Sequence, residues 1–309
     1  PILKHFVLSL IYQTHLRPHF YLIIYLEYFQ FPDDGTEFDF LMQEKRTCYD
    51  SYYPFKVLSR KEFQRVDFEP ITILYGGNGS GKTTALNIIA EKLKILRESP
   101  FNKSNFFDDY LNLCEISIIE DVPGASRIIT SDDVFDYMLS IRMINEEIDN
   151  KREEIFQDYL DTKYSDFKMT SLEDYEELKK VNETRRRTQS KYVRHKLMDN
   201  IRELSNGESA FLYFTEKISE NNLYLLDEPE NSLSPENQLK LVKYIGEAAR
   251  YFDCQFIIST HSPFLLAIER AKIYDLDESP VTVRPWHELE NIRIYYDFFQ
   301  KHKDKFEKK

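Results

Sequence analysis

Glycine is scarce in this 309-residue chain, with eight residues. Cysteine is rarer still, with three, and tryptophan occurs once. That shortage, beside 12 prolines, excludes collagen-like and low-complexity architectures. Cys48, Cys114 and Cys254 stand far apart and form no Cys-x-x-Cys pair. They supply neither a disulfide framework nor a zinc site, and fit a reducing cytosol. No period of 20–50 residues repeats, which excludes solenoids and propellers. Positive charge is also short: 41 Lys and Arg stand against 53 Asp and Glu, a net −12. The chain is therefore no bulk nucleic-acid coat, although a local basic patch remains able to grip phosphates. What is present, 42% apolar and 30% charged residues, is the composition of a globular protein with a substantial buried core.

Residues 1–26 contain no acidic residue and hold His5, His15 and His19. Their two apolar runs, 6–12 and 20–26, fall well short of the ~20 residues of a membrane helix. The segment reads as an atypical N-terminal extension, or as sequence upstream of the natural start, with a targeting role as the alternative.

Beyond it, a strand is expected within 21–31, followed by a polar connection through Pro32, Asp33, Asp34 and Gly35. A β-rich run, 71–75, stops at a glycine cluster. Helical spacing of Leu86, Ile89, Ala90 and Leu93 predicts a helix over 83–96. Two strand-like runs flanking Val122-Pro123-Gly124 predict a hairpin. From 132 to about 200 the pattern turns helical and charged. Val134, Ile141, Ile148 and Ile155 recur every seven residues, with Met138 and Tyr159 beside them, predicting a long helix with a narrow apolar stripe. A second helix, capped by the box at Ser171, would return along it as an antiparallel arm. Strand runs resume at 223–226 and 255–259, separated by a helix over 235–251. The order predicts an α/β fold with a mixed, largely parallel sheet interrupted by a helical lobe. The expected division is 1–26 extension, 27–131 first core part, 132–202 helical lobe, 203–300 second core part and 301–309 charged tail.

Residues 76–84 read Gly76-Gly77-Asn78-Gly79-Ser80-Gly81-Lys82-Thr83-Thr84, satisfying GxxxxGK[ST]. Glycines allow successive N–H groups to converge on phosphates, and the helix that follows presents its positive end. Lys82 suits the β- and γ-phosphates, and the Thr83 hydroxyl suits Mg²⁺. The string follows a β run and opens a helix, the context that gives it meaning. At 223–230 an apolar strand ends in Asp227 and Glu228, at the rim where parallel sheets bind ligands. Asp227 is the candidate metal ligand and Glu228 the candidate group that polarises an attacking water. Ser205 and Gly207 precede an apolar helical run, and His261 ends the later strand. Each by itself reads as ordinary structure, an N-cap and a strand-end histidine. In the order Lys82, Ser205, Asp227–Glu228, His261, they form one constellation.

At these residues the chain resembles the ABC-type ATPases, and within them the SMC, RecF and OLD-like class of P-loop NTPases. The resemblance covers roughly 50–300 and is carried by LSNGES, DEPENSLSP and ISTHSPFLL. It implies ATP and Mg²⁺ as ligands and ATP hydrolysis as activity. It makes Ser205 and Gly207 the signature, Asn231, Ser232, Leu233 and Ser234 the D-loop, and His261 the switch histidine. It further implies a head-to-tail homodimer with two ATP molecules between protomers, each completed by the partner's signature. Two positions depart from the pattern. Asn206 stands where the signature has glycine, and no glutamine occurs at the lobe junction before Gln157, leaving Asp132 or Asp133 as replacements. Tyr52, Tyr53 and Phe55 are the aromatic candidates for the adenine.

Residues 185–196 hold seven basic or potentially basic side chains, with Arg185, Arg186, Arg187 and Lys191 foremost. They are a candidate grip on double-stranded DNA or another nucleic acid, a solvated helix face being the alternative. The expected role is a cytoplasmic ATPase in DNA maintenance, phage defence or mobile elements, acting on nucleic acid or through an effector protein, without stable membrane association. The energising subunit of a membrane transporter is the second reading.

Overall fold

The structure, a computed structural model, describes residues 23–46, 48–165, 174–197 and 206–307. The segment 1–22, the capping box expected at Ser171 and Ser205, the expected signature residue, lie outside the described residues. In chain order the elements are β1 (Leu26–Gln30), α1 (Asp34–Gln43), β2 (Arg65–Asp67), β3 (Ile71–Tyr75), α2 (Lys82–Leu93), α3 (Phe107–Leu113), β4 (Glu115–Ile118) and β5 (Arg127–Thr130). Four helices follow: α4 (Ser131–Lys163), α5 (Tyr175–Arg186), α6 (Gln189–Lys196) and α7 (Asn206–Lys217). The chain continues with β6 (Leu223–Asp227), α8 (Pro235–Tyr251), β7 (Gln255–Thr260), α9 (Pro263–Leu266), β8 (Lys272–Asp275), β9 (Thr282–Val283), α10 (Glu290–Lys301) and α11 (Lys303–Glu307). No helix among the described residues is long and apolar enough to cross a membrane.

The chain divides into two compact units, one made of Pro1–Ser131 with Thr215–Lys309, the other of Asp132–Phe214. The first unit holds both sheets. A six-stranded sheet has the order β5-β6-β7-β3-β8-β9 and is parallel except for its β9 edge. β3, β6 and β7 are buried along their whole length, as strands covered on both faces must be, and they read as continuous apolar runs. A second, antiparallel sheet has the order β2-β1-β4. α2 packs into the core with Ala85, Leu86, Ile88, Ile89 and Ala90 fully buried.

Two expectations are corrected. Asp33 and Asp34 begin a helix instead of a loop, because the Asp33 side chain accepts the Thr36 N–H at 2.7 Å and caps α1. The two strands around Val122-Pro123-Gly124 form no hairpin. β4 pairs with β1, and β5 pairs with β6 in the other sheet. Ile128 and Ile129 of β5 are buried, whereas β4 is only half sheltered, so burial sends the two strands to different sheets. Strand propensity alone does not encode a partner.

In the helical unit, α4 runs 33 residues with Val134, Met138 and Tyr159 buried on the predicted stripe. The returning segment is broken into two helices at Arg187. Tyr159 donates to the Arg187 carbonyl at 3.1 Å and packs against Tyr192, and Asp158 pairs with Lys180.

Side-chain hydrogen bonds join the two sheets of the first unit: Tyr274 of β8 bonds the Asp67 backbone of β2, and Gln255 of β7 bonds β1. Gln255, fully buried at the start of β7, accepts the N–H groups of Tyr25 and Leu26 at 2.9 Å each and donates to the Leu26 carbonyl at 2.9 Å. Gln255→Leu leaves these buried backbone groups unpaired. It is expected to lower unfolding stability by about 2–4 kcal/mol in a denaturant titration, and a loss below about 1 kcal/mol would show that the sheets are held together by their other contacts, such as Tyr274 to Asp67.

Candidate functional site

The strands of a parallel sheet end at the same rim, and here the register decides which residues meet. Tyr75, the last residue of β3, lies opposite Thr260 on one side and Asp275 on the other, while Asp227 of β6 lies opposite Ser259. The residues just past these positions are the glycine loop, Glu228, His261 and Asp277. Four sequence-distant segments are therefore delivered to one edge.

The loop is shaped by glycine where no other residue fits. Gly81 caps α2 at φ 100°, in the left-handed region, and a Cβ there would sit 3.0 Å from Leu58. A Cβ on Gly76 would lie 2.5 Å from the Ser80 hydroxyl. The Lys82 ammonium is almost wholly buried. It is held by the carbonyls of Gly76 and Gly77 at 2.7 and 3.0 Å and stands 3.5 Å from Glu228. Asn78 and Gly79 form the exposed crest of the loop.

Asp227 is buried and accepts hydrogen bonds from the Thr83 hydroxyl, at 3.0 Å, and from the Ser259 hydroxyl. Burial raises its carboxyl above the usual range, and the hydroxyls of Ser259 and Thr83 offset part of that rise. Such a carboxylate gains from a nearby cation.

Glu228 follows directly, and along a regular strand the two side chains would point to opposite faces. Glu228 instead adopts a left-handed conformation, φ 47°, ψ 54°, with its N–H bonded to the Ser259 carbonyl at 3.0 Å. The turn keeps both carboxylates at the rim. Asn231, on the short helical turn after Pro229, donates to Glu228 Oε2 at 3.0 Å. His261 Nδ1 lies 3.8 Å from Glu228 Oε1.

The predicted residues Lys82, Thr83, Asp227, Glu228 and His261 are thus gathered in the first unit. Gly207 lies in the first turn of α7, so that helix starts earlier than the apolar run predicted. Asp132 and Asp133 occupy the first turn of α4. Of the three aromatic candidates, Tyr53 reaches the helix that follows the loop, donating to the Thr84 hydroxyl in the first turn of α2 at 3.1 Å. Tyr52 and Phe55 pack against Phe106 and Phe40 instead. Arg185, Arg186 and Lys191 are exposed, whereas Arg187 is half-buried and paired with Glu183 at 3.2 Å.

Three further residues belong to the site and were not singled out from the sequence. Ser259 holds Asp227. Glu230 bonds to the backbone of His261. Asp277 accepts the Gly77 N–H with both carboxylate oxygens at 2.9 Å. The second glutamate of DEPE was the legible signal for Glu230. Asp277 carries none, because only the pairing of β3 with β8 brings it to the loop.

A glycine loop between strand and helix, a strand-end carboxylate pair and a histidine on the neighbouring strand define a P-loop nucleoside triphosphatase. Residues 65–231, more than half of the chain, match the family model described as ABC transporter, and residues 201–266 match the one described as AAA ATPase domain. The chain belongs to the ABC family of P-loop proteins and is an ATPase.

Among solved structures, the SMC head domain from Thermotoga maritima is similar at 13% identity, with 85% of this chain and 99% of that one covered and a TM-score of 0.38. The Smc head domain of Pyrococcus furiosus, bound to the C-terminal domain of ScpA, is similar at 15% identity, with 76% and 94% covered and a TM-score of 0.37. A dimeric bacterial ABC transporter cassette is similar at 13% identity, with 73% and 90% covered and a TM-score of 0.36. No curated protein matches the chain.

The Asp277 carboxylate places a negative charge against the Gly77 amide of the glycine loop. Asp277→Asn, which removes that charge, is expected to tighten binding of a fluorescent ATP analogue several-fold. Weaker binding would mean that the carboxylate serves the loop by fixing its shape.

Proposed function

We propose that the chain is a Mg²⁺-dependent ATPase of the SMC and RecF type, whose two copies close head to tail around two ATP molecules. The observation that carries the reading is the cluster of Lys82, Thr83, Asp227, Glu228 and His261 at one sheet rim. The Thr83 hydroxyl and Asp227 Oδ1, 3.0 Å apart, are hard oxygen donors suited to Mg²⁺. When bound, that ion neutralises charge on the β- and γ-phosphates. Lys82, drawn off its loop carbonyls, supplies a second positive charge to the same oxygens. Glu228 orients the attacking water and takes up its proton, and His261 steadies the group being transferred.

Exposure supports the dimer. Lys82 is 4% exposed, but Glu228 is 24% and His261 41% exposed, so the face where water must be controlled is open to solvent. A second copy closing over that face would exclude bulk water. By the family resemblance, the partner would bring Ser205 and Gly207 to the γ-phosphate, where a helix N-terminus favours an anion. ATP then holds the closed dimer and hydrolysis releases it. We infer a cytoplasmic role in which this switch acts on double-stranded DNA through Arg185, Arg186, Arg187 and Lys191, or drives an effector protein in DNA maintenance or phage defence. The transporter reading is favoured only by the description of the matching family.

Glu228→Gln is expected to reduce turnover by about 10²-fold or more and to accumulate an ATP-bound dimer in light scattering. A monomer in ATP and Mg²⁺ would refute the sandwich. Lys82→Ala is expected to abolish nucleotide binding. Replacing the four basic residues with Ala is expected to lower the salt slope of DNA binding by about one for each phosphate that the variant no longer neutralises. An unchanged slope assigns the patch to a solvated helix face.

A further inference from the structure

We propose that Glu230, which lies outside the strand-end carboxylate pair, is the positioning residue for His261. The inference rests on reading His261 as the switch histidine. The Glu230 side chain is 6% exposed. Its Oε1 accepts the Thr260 hydroxyl at 2.6 Å and the His261 N–H at 2.9 Å, and it lies 3.4 Å from His261 Nδ1. That is closer than the 3.8 Å between Nδ1 and Glu228. Glu230 Oε2 and His261 Nδ1 are both buried and make no hydrogen bond in this arrangement.

The charge on Glu230 is the informative feature. An ionised carboxylate accepts about four hydrogen bonds, and here two donors, both directed at Oε1, serve it. A neutral glutamine would satisfy the same hydroxyl and amide without burying a charge, which is costly unless paired. The group that gains from the charge is the imidazole. A carboxylate beside Nδ1 favours the tautomer with the proton on that nitrogen, and a small rotation of the ring brings Nδ1–H onto Glu230. Nε2 is then the nitrogen left to act on the nucleotide. The backbone bond to His261 N–H fixes the base of the side chain, so one carboxylate holds the residue at both ends. His261 stands between Glu230 and Glu228, linking the buried carboxylate to the hydrolytic one.

Glu230→Gln keeps an oxygen for Thr260 and for the His261 N–H and removes the charge. Turnover is expected to fall about tenfold, with KM and the affinity for a fluorescent ATP analogue unchanged within twofold. In a His261→Ala background the same change is expected to cost nothing further. Turnover of Glu230→Gln within twofold of wild type, or an equal loss in both backgrounds, overturns the proposal. Wild-type turnover in His261→Ala itself would overturn the reading of the histidine, and the inference with it. A second measurement needs no Glu230 variant. Nitrogen-15 NMR of the wild-type protein labelled at histidine, with His261 assigned from the signal lost in His261→Ala, is expected to show the proton on Nδ1. A bare Nδ1 with the proton on Nε2 overturns the assignment.

Discussion

The parallel alignment of β3, β6, β7 and β8 is the constraint on which everything else at the site depends. Backbone hydrogen bonding fixes Tyr75 against Thr260 and Asp275, and Asp227 against Ser259. A slip of one residue along any pair would turn the functional side chains to the wrong face. The strands can hold this register because they are buried on both sides, so their apolar content resists displacement. Gln255 adds a polar check at the opposite end of β7, since its three hydrogen bonds to β1 and the residue before it are made only in the native position.

On that scaffold the charges are arranged by burial. Lys82 and Asp227 are nearly inaccessible, and each is supported by local polar atoms: loop carbonyls for the ammonium, hydroxyls for the carboxylate. Glu228 and His261 stand further out. On the proposed mechanism this gradient separates the groups that bind from those that act on water. Glu230 departs from it, as a buried carboxylate with an oxygen left over, and that departure gives the residue its meaning. Asp277, which follows β8, adds a negative charge against the glycine loop at Gly77, while Glu228, which follows β6, lies 3.5 Å from Lys82.

Much of this was legible along the chain. Residues 71–75 and the helix 235–251 carry in their local pattern the bounds they have in the fold, and motif and order single out the glycine loop, the Asp227–Glu228 pair and His261. Local spacing and chemistry suffice for such elements. The hairpin around Val122-Pro123-Gly124 failed because two adjacent strand-like runs carry no label for their partners, and burial assigned β4 and β5 to different sheets. The helix after Asp33 was missed because its start signal, an aspartate cap, resembles a turn.

The sequence by itself determined the class of protein, an ATPase with a glycine loop of the P-loop type, and the order in which the loop, the Asp227–Glu228 pair and His261 occur. Those properties live in short contiguous strings, where composition and spacing carry the physics. Only the tertiary structure decided which residues support them. Ser259, Glu230, Asn231 and Asp277 take their roles from strand register, from a left-handed turn at Glu228 and from burial. These are long-range properties, because a side chain's partner is set by where the sheet ends and not by its neighbours in the chain.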